Sequence, residues 1–444
     1  MTMSSALLAV LTGLGLAGFA YALVNRPQRG ILALAALVPF NGLLLLVPHP
    51  GIVDGWKEAL VLVTFLASLL SPDAVPWRQV RLPTWAAPAW ALLLVAMVSA
   101  AFVPTTQAIQ GLKIGFFYAL VSVILLRNPF TPRDRDRLVT ILMVTGVAAA
   151  LYGVAQQAIG APRLVAWGYE YEETIRAAGG YLRSFSSFNQ PFGFGLFSMM
   201  VLLVCGSVAL AEPRRWRNAI FLVCSPLLLA GMLLTIVRGA YLGLALGALL
   251  LAALRYRGLL LGIPLALAVL VNLPESIRIT VFSSGSLGER GAGWSGISDE
   301  ILSHPFGIGI GSTGSVAEKV ATLQGSGATT YQPDSQYVKL LLEFGIVGVW
   351  LFVLFLVASL TAALITARHT VDPDSALALG IAASFLAAIG AAAVSTYFEI
   401  FPMDVYFWMF LGVLACIPRS GSTHSHCAPA AAGFRPISAS SSPL

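Results

Sequence analysis

Long apolar stretches separated by short polar ones dominate this sequence of 444 residues. Each stretch is bounded by charged residues, proline or glycine, and its length is close to the roughly 20 residues that cross a bilayer as an α-helix. The pattern therefore predicts about thirteen membrane-spanning helices. The candidate spans lie at roughly 5–24, 30–48, 56–71, 84–103, 108–127, 138–159, 191–211, 219–237, 239–254, 258–273, 336–365, 376–396 and 402–417.

The composition supports this reading of the pattern. Hydrophobic residues make up 57% of the chain, charged residues only 10%, and the mean hydropathy is +0.83. A soluble multidomain enzyme cannot be this apolar. We predict an all-α fold, a polytopic membrane protein of about twelve to thirteen transmembrane helices in which residues 1–418 form one membrane domain. The first apolar stretch lacks the features of a signal peptide and is expected to remain as a span, and the Ser-, Ala- and Pro-rich tail 419–444 is expected to be disordered and cytoplasmic.

The basic residues indicate topology rather than a nucleic-acid partner. The net charge is +6, but lysine and arginine concentrate in every second short loop, which marks the cytoplasmic side of a membrane protein. The N-terminus is then outside, and two long loops, at about 160–190 and 274–335, are exterior. The arginines that define the cytoplasmic side are Arg26, Arg29, Arg78, Arg81, Arg127, Arg133, Arg135, Arg137, Arg214, Arg215, Arg217, Arg255, Arg257 and Arg368.

Function is expected in the two exterior loops, because spanning helices must satisfy their backbone internally and face lipid. The sequence contains no Walker-type phosphate loop, no Asp-x-Asp pair in these loops and no histidine-rich cluster, so we expect neither a metal nor another cofactor. The segment Gly309–Gly314 matches the pattern GxGxxG, but no strand pattern precedes it. A flexible turn is the favoured interpretation, and backbone amides lining a phosphate or sugar site are the alternative.

Three arginines lie where the chain enters or leaves the membrane on the exterior side. Arg238 stands between two apolar spans with almost no loop. It is either an anchor at headgroup depth or a bidentate clamp on a diphosphate, whose oxygens match the guanidinium geometry. Arg183 precedes the span that begins at Pro191, and Arg290 lies in the second exterior loop. Each of these two could instead pair with a loop carboxylate.

Asp334 opens the span that follows the second exterior loop, in Pro-Asp-Ser-Gln-Tyr at residues 333–337. Aspartate after proline at a helix start is a good N-cap. The functional alternative makes Asp334 a general base at the membrane surface. The sequence leaves both interpretations open.

Two segments resemble the O-antigen ligase and O-antigen polymerase family. They are His-Pro-Phe-Gly-Ile-Gly-Ile-Gly at 304–311 and the stretch from Asp334 to Gly348. Thr-x-x-Arg-Gly at 235–239 and the element around Arg183 resemble further family landmarks, so the resemblance covers about 180–350. It implies an integral-membrane glycosyltransferase of the C-type fold that acts on undecaprenyl-diphosphate-linked glycans at the periplasmic face.

One position departs from the ligase pattern of that family. The pattern is His, then Asn, Ser or Gln, then nine residues and Gly; here Asp334, Ser335 and Gly345 keep the spacing, but aspartate replaces histidine. By resemblance, the histidine position is the catalytic one, and many polymerase-like exopolysaccharide proteins of the family resemble this chain in carrying an acidic residue there. The resemblance therefore favours a polysaccharide polymerase, for O-antigen or exopolysaccharide, over a ligase that transfers glycan to lipid A-core.

The chemistry of glycosyl transfer agrees with these residues. It needs a base near the attacking sugar hydroxyl and positive charge near the leaving diphosphate. Asp334 is the candidate base, Arg238 with Arg183 and Arg290 would bind the diphosphate, and Tyr337 is assigned to substrate binding. A transporter or flippase is the competing class; buried charges within spans would favour it, and Lys113 is the strongest such candidate in the sequence.

Partners and location follow from the resemblance. It implies an undecaprenyl-diphosphate-linked oligosaccharide, a glycan acceptor and membrane lipid as binding partners, with other polysaccharide-assembly proteins as candidate partners. The placement of the basic residues indicates no nucleic-acid partner. The expected location is the bacterial inner membrane, with the active site facing the periplasm.

Overall fold

The computed structural model describes residues 21–48, 51–169, 176–178, 180–262, 302–325 and 331–418. These ranges are mostly helical, which confirms the all-α prediction; their sheet is a two-stranded antiparallel hairpin, β1 (Ala177–Ala178) and β2 (Tyr181–Leu182). The α-helices are α1 (Gln28–Leu37), α2 (Trp56–Leu70), α3 (Ala86–Ala100), α4 (Thr105–Phe116), α5 (Ala119–Arg127), α6 (Pro132–Ile159), α7 (Ala161–Ala166), α8 (Pro191–Ala211), α9 (Trp216–Leu233), α10 (Arg238–Leu254), α11 (Gly314–Gln324), α12 (Gln336–Arg368), α13 (Asp374–Ala392) and α14 (Met403–Ala415).

Several predictions fall outside the described residues. They are most of the first span and of the span at 258–273, residues 274–301 of the second exterior loop with Arg290, and the tail 419–444.

Hydropathy located most spans well where the chain is described. The predicted span 191–211 is helix α8 with the same bounds, and α10 begins one residue before its predicted start. The predicted span 108–127 is instead two helices, α4 and α5, bent by 51° at a short break. Gly115 lies just before this break, and glycine weakens a helix interior. In the predicted span 30–48, α1 gives way at Pro39 to a 3₁₀ segment, Val38–Leu46, because proline cannot continue the hydrogen bonding of an α-helix.

The helices fit a protein that crosses a membrane several times. Among the described residues, α6, α8, α9, α12 and α13 are each long and apolar enough to span a bilayer, and the bent pair α4–α5 would add a sixth span. Helices α3, α10 and α14 are apolar but shorter. Large apolar side chains are exposed on the outer helices, among them Val223 at 80% and Ile346 at 64%, as expected of surfaces that face lipid. The total of twelve to thirteen spans stays a prediction.

The basic loops lie at one end of the helical bundle, where ion pairs connect them to one another. Arg135 forms a bidentate pair with Asp374, with Nε–Oδ1 and Nη2–Oδ2 distances of 2.8 and 2.6 Å. Arg217 bonds Asp136 at 2.9 Å, and Arg255 pairs with Asp372. We call this the arginine end. Successive helices alternate in direction. The last turns of α9 and α13 and the first turns of α10 and α12 therefore lie at the opposite end, which we call the site end.

Helices α8 and α13 form the centre of the bundle, and most of each is buried. Helix α10 approaches them closely because it carries glycine at the contacts. A Cβ added to Gly243 would lie 3.0 Å from the Ala387 carbonyl oxygen, and one added to Gly247 would lie 2.9 Å from that of Ala383. Small residues permit such close packing between membrane helices. The ends of α10 and α13 are thereby held together at the site end.

Candidate active site

The tight turn between α9 and α10 presents Arg238. Helix α9 ends at Leu233 and α10 begins at Arg238 itself. Between them, Ile236 has a φ of 52°, a left-handed conformation that is strained for a β-branched residue. Arg238 is thus the first residue of a helix, where unbonded N–H groups and the helix dipole favour an anion.

Arg183 holds this turn in place. Its Nε donates to the Thr235 carbonyl oxygen at 2.9 Å and its Nη2 to that of Ile236 at 3.4 Å. The neighbouring Ser184 N–H donates to the Leu234 oxygen at 2.9 Å. The loop predicted to be the first exterior one therefore bonds the carbonyl groups that α9 leaves exposed at its end. These contacts give Arg183 a structural role beside its predicted role in substrate binding.

Arg183 and Arg238 also lie close enough to influence each other. Burial lowers the pKa of the Arg183 guanidinium; the Tyr241 hydroxyl opposes this shift and the positive charge of Arg238 adds to it. The Arg183 guanidinium lies 4.9 Å from the centre of the Phe192 ring. Because two like charges repel in a partly desolvated place, a bound anion between them would be favourable.

Asp334 lies at the surface immediately before helix α12. The helix begins at Gln336, and its N-cap is Ser335, which has an extended conformation. The interpretation of Asp334 as the N-cap therefore does not fit the geometry. The Asp334 side chain is exposed, and it lies close to the Tyr331 hydroxyl, whose pKa is raised by burial and further by the Asp334 charge.

The residues after Asp334 attach to the end of helix α13. Ser335 Oγ donates to the Ala392 carbonyl oxygen at 3.3 Å, and the Gln336 N–H donates to that of Ser395 at 3.2 Å. Gln336 Oε1 in turn accepts a hydrogen bond from the Phe398 N–H at 3.3 Å. The start of α12 is therefore fixed against residues 391–398.

Gly239, the neighbour of Arg238, packs against the same part of the chain. An added Cβ would lie 3.4 Å from Ser395 Oγ and 3.5 Å from a methyl carbon of Val394. Gly239 on one side and Ser335 with Gln336 on the other therefore contact the same segment, residues 391–395. The chain next to Arg238 and the chain next to Asp334 are thus anchored to one segment, although the two residues are 96 positions apart in sequence.

Tyr337 and Arg290 are the other two residues that the sequence assigned to substrate binding. The Tyr337 hydroxyl donates to the Ile389 carbonyl oxygen at 3.1 Å, and its ring packs against Phe352 with ring centres 5.9 Å apart. These contacts hold α12 against its neighbours, and substrate binding by Tyr337 stays a prediction. Arg290 lies outside the described residues.

A buried ion cluster beneath the start of α12 was missed by the sequence analysis. Lys339 bonds Glu343 one helical turn away and lies 3.0 Å from Oε1 of Glu399. Lys339 also donates to the Thr313 carbonyl oxygen at 3.2 Å, while Thr313 Oγ1 and Glu343 Oε1 are 3.2 Å apart. Lys339 and Glu343 are 4% and 3% exposed, so they are far more buried than Lys113, the charge singled out from sequence, whose side chain is 39% exposed. A lysine and a glutamate four residues apart in an apolar span were the available signal.

The glycine-rich segment is a packed loop that fills a break in helix α12. Ile308 and Gly309 donate their N–H groups to the carbonyl oxygens of Leu342 and Glu343, at 2.7 and 3.2 Å. There α12 is interrupted at Gly345, which has a φ of 66°. A Cβ on Gly345 would lie 2.1 Å from the Pro305 carbonyl oxygen, so this close approach requires glycine. The predicted flexible turn is therefore tightly packed.

Comparison with known proteins agrees with the resemblance seen in the sequence. The fold and the site describe a polytopic membrane protein with arginines and a carboxylate gathered at one end. Residues 223–353 match the family model described as O-Antigen ligase, a range that contains Arg238, Arg290, Asp334 and Tyr337 but not Arg183. No curated protein matches the chain. The match supports the assignment of this chain to the O-antigen ligase/polymerase family, and with it glycosyl transfer of the O-antigen ligase type that uses lipid-linked glycans.

Proposed function

We propose that this protein is a polysaccharide polymerase. It transfers a glycan from an undecaprenyl-diphosphate carrier to a sugar hydroxyl at the outer face of the inner membrane, and the product is O-antigen or exopolysaccharide. The observation that carries the proposal is that the residues next to Arg238 and Asp334 contact one segment, 391–395, through Gly239 on one side and Ser335 and Gln336 on the other. A positive group and an exposed carboxylate on one support suit a reaction that releases diphosphate and consumes a hydroxyl proton.

The proposed reaction proceeds as follows. The acceptor hydroxyl oxygen attacks the anomeric carbon of the donor glycan and forms the new glycosidic bond. The bond between that carbon and the diphosphate oxygen breaks, and its electron pair leaves with the lipid diphosphate. Asp334 accepts the hydroxyl proton.

The arginines stabilise the leaving group in this scheme. The guanidinium of Arg238 forms a bidentate contact with diphosphate oxygens at the start of α10. Arg183 bonds the carbonyl groups of the turn and so orients Arg238, while Arg290 and Tyr337 remain proposed substrate contacts.

Because arginine charge takes the place of a metal ion, we expect transfer by the purified protein to continue in EDTA. A loss of activity that only added Mg²⁺ restores would contradict this part of the proposal.

Two other functions have specific features in their favour. The matched family description names a ligase, which would transfer the finished glycan to lipid A-core, but Asp334 stands where the ligase pattern has histidine. The buried Lys339–Glu343–Glu399 cluster is the kind of intramembrane charge that transporters use. In this structure, however, the cluster ties α12 to neighbouring segments, which favours a structural role.

Analysis of glycans after deletion of the gene separates the three functions. A polymerase mutant should display single repeat units on its surface glycolipid. A ligase mutant should accumulate full-length chains on the lipid carrier, and a flippase mutant should retain single units on the inner leaflet. Long surface chains of normal length would contradict all three.

The proposed periplasmic position of the site has its own test. Arg135 is buried and bonded to Asp374, so the neighbouring Arg137, with a side chain 61% exposed, is the better probe of the arginine end. Gly325 probes the site end. In intact cells with a permeable outer membrane, an impermeant thiol reagent should label Gly325→Cys and not Arg137→Cys; the reverse pattern would invert the topology.

A further inference from the structure

A second feature of the molecule is a large apolar groove on its lipid-facing side. It has a volume of about 920 Å³ and lies between α3 and the bent pair α4–α5. Its lining includes Trp90, Leu93, Ile109 and Leu126, and Lys113 also lines it. Trp90 and Ile109 are 56% and 58% exposed, so the groove opens toward the surrounding lipid.

The groove runs from the arginine end toward the site end, along the direction of the helices. Trp77 lines it near the arginine end, where the Arg127 guanidinium lies 4.5 Å from the Trp77 ring centre. Ile109 lines it near the site end, where the adjacent Gln107 side chain donates to the Ile310 carbonyl oxygen at 2.9 Å. Helix α3, which forms one wall, has 15 residues and is therefore about 22 Å long. This length suits an extended hydrocarbon chain within one bilayer.

Lysine side chains gather where the groove reaches the site end. Lys113 pairs with Glu58 at 2.8 Å. Lys57 interacts electrostatically with Lys113 and Lys319, and also with Glu58 and Asp404. Lys113 lines the groove, and Lys57 Nζ lies 4.3 Å from the centre of the Phe401 ring. Together the five side chains carry three ammonium groups and two carboxylates, of which Asp404 is 7% exposed. This excess of positive charge suits an anionic headgroup.

The groove also adjoins the candidate active site. A cavity of about 70 Å³ is lined by Gln336 and Lys339 near the start of α12, and it shares Ala89, Phe116 and Trp408 with the groove. A lipid lying in the groove would therefore place its headgroup on the same side of the molecule as Asp334.

We propose that the groove binds the isoprenoid tail of a second diphosphate-linked lipid, the acceptor, and that Lys57, Lys113 and Lys319 bind its diphosphate. The inference rests on the proposed function, and it assigns the acceptor hydroxyl of that reaction to a glycan on a second lipid carrier. Arg238, oriented by Arg183, binds the donor diphosphate in the proposed function, so the acceptor carrier needs a separate place. A ligase or a one-substrate transporter would need one such site.

Direct binding to the purified full-length protein tests the proposal. Radiolabelled undecaprenyl diphosphate, titrated in detergent, should occupy two sites per chain. Leu93→Trp fills the groove and should remove one of them, while Leu94→Trp, on an adjacent residue that is 58% exposed and outside the groove, should keep both. Met97→Trp is a second groove variant at a residue 47% exposed, where the larger ring is easily accommodated, and it should weaken the same site.

The headgroup contacts have a separate control. Lys319→Gln should weaken the groove site about fivefold, since one cation near anionic lipid contributes about that much. Arg368→Gln, an exposed charge change at the arginine end, should leave both sites unchanged. Arg238→Lys should weaken the other site and not the groove site.

Three outcomes would overturn the inference. They are a single lipid site in the unaltered protein, two sites that both persist in Leu93→Trp and Met97→Trp, and equal displacement of the groove lipid by phosphatidylglycerol, which would make the groove a general phospholipid site. The proposed function fails separately. If two sites behave as expected but reconstituted protein does not lengthen lipid-linked glycan, the groove inference stands and the polymerase proposal falls.

Discussion

The two ends of the bundle use arginine in different ways. At the arginine end, guanidinium groups bond carboxylates: Arg135 with Asp374 and Arg217 with Asp136. At the site end, Arg183 bonds backbone carbonyl oxygens of a strained turn and lies near a second arginine, Arg238. Pairing with carboxylates fixes the loops at the arginine end. At the site end two arginines lie near one turn, and such a pair suits the binding of an anion.

The carboxylates at the two ends also have different neighbours. Asp372 pairs with Arg255 at the arginine end, while Asp334 lies close to the Tyr331 hydroxyl at the site end. Substitutions matched across the two ends can therefore separate function from structure.

The largest effect is expected for Asp334→Asn. If Asp334 is the general base, glycan elongation should fall by roughly 10²- to 10⁴-fold, because the amide cannot accept a proton. Since Ser335 is the N-cap, both Asp334→Asn and Asp334→Ala should fold with nearly native stability. Asp334→His should recover part of the activity, since imidazole titrates near neutrality. The measurement is elongation of lipid-linked glycan by purified protein.

The matched control for Asp334 is Asp372→Asn at the arginine end, which should elongate at the native rate. An Asp334→Asn variant with native activity would remove this residue from the mechanism. The base would then be sought at Glu318, which accepts a hydrogen bond from Gln332 at 3.0 Å, at His304 or at Glu399.

The next effect concerns stability. Lys339→Met leaves Glu343 and Glu399 buried without their common cation, and we expect a loss of about 3–5 kcal/mol in the free energy of unfolding. At the arginine end, Arg255→Met should lose about 1 kcal/mol or less, because the Arg255 and Asp372 side chains are 32% and 35% exposed. Denaturation of both variants in the same detergent measures the difference. Equal losses would show that the burial of the Lys339 cluster has no energetic consequence.

Features that depend on neighbouring residues could be predicted from the sequence, whereas features that depend on residues far apart in the chain could not. Helix α8 was predicted with its observed bounds, because hydropathy is a local property of consecutive residues. The cluster was not predicted, since Lys339 and Glu399 are brought together only by the packing of α12 against the segment after α13. The role of Gly345 likewise depends on Pro305, forty positions earlier. At the site, Arg238 and Asp334 were recognisable from sequence by their residue types. The contacts of their neighbouring residues with segment 391–395 were not, because they depend on the packing of α10 and α12.

A smaller loss of activity is expected for Arg238→Lys. Lysine keeps the charge but loses the bidentate fork. A charged hydrogen bond of about 1.5–3 kcal/mol would then be lost, so elongation should fall by roughly tenfold to a hundredfold. Arg255→Lys, the counterpart at the arginine end, should keep its activity. Full elongation by a well-folded Arg238→Lys variant would identify Arg238 as a membrane anchor and not a diphosphate clamp.

The smallest effect, and the most informative about how the turn works, is expected for Arg183→Lys. Arg183 and Arg217 are each 8% exposed, so lysine at either position should lower the free energy of unfolding by about 1–3 kcal/mol through lost buried hydrogen bonds. Only Arg183 supports the turn that carries Arg238; Arg217 bonds Asp136 and Thr140 at the far end. Arg183→Lys should therefore also raise the KM for lipid-linked donor, whereas Arg217→Lys should leave KM unchanged. If the two variants lose stability equally and both keep the native KM, the turn does not orient Arg238. The arginines at the two ends would then differ in the groups that they bond and not in their effect on donor binding.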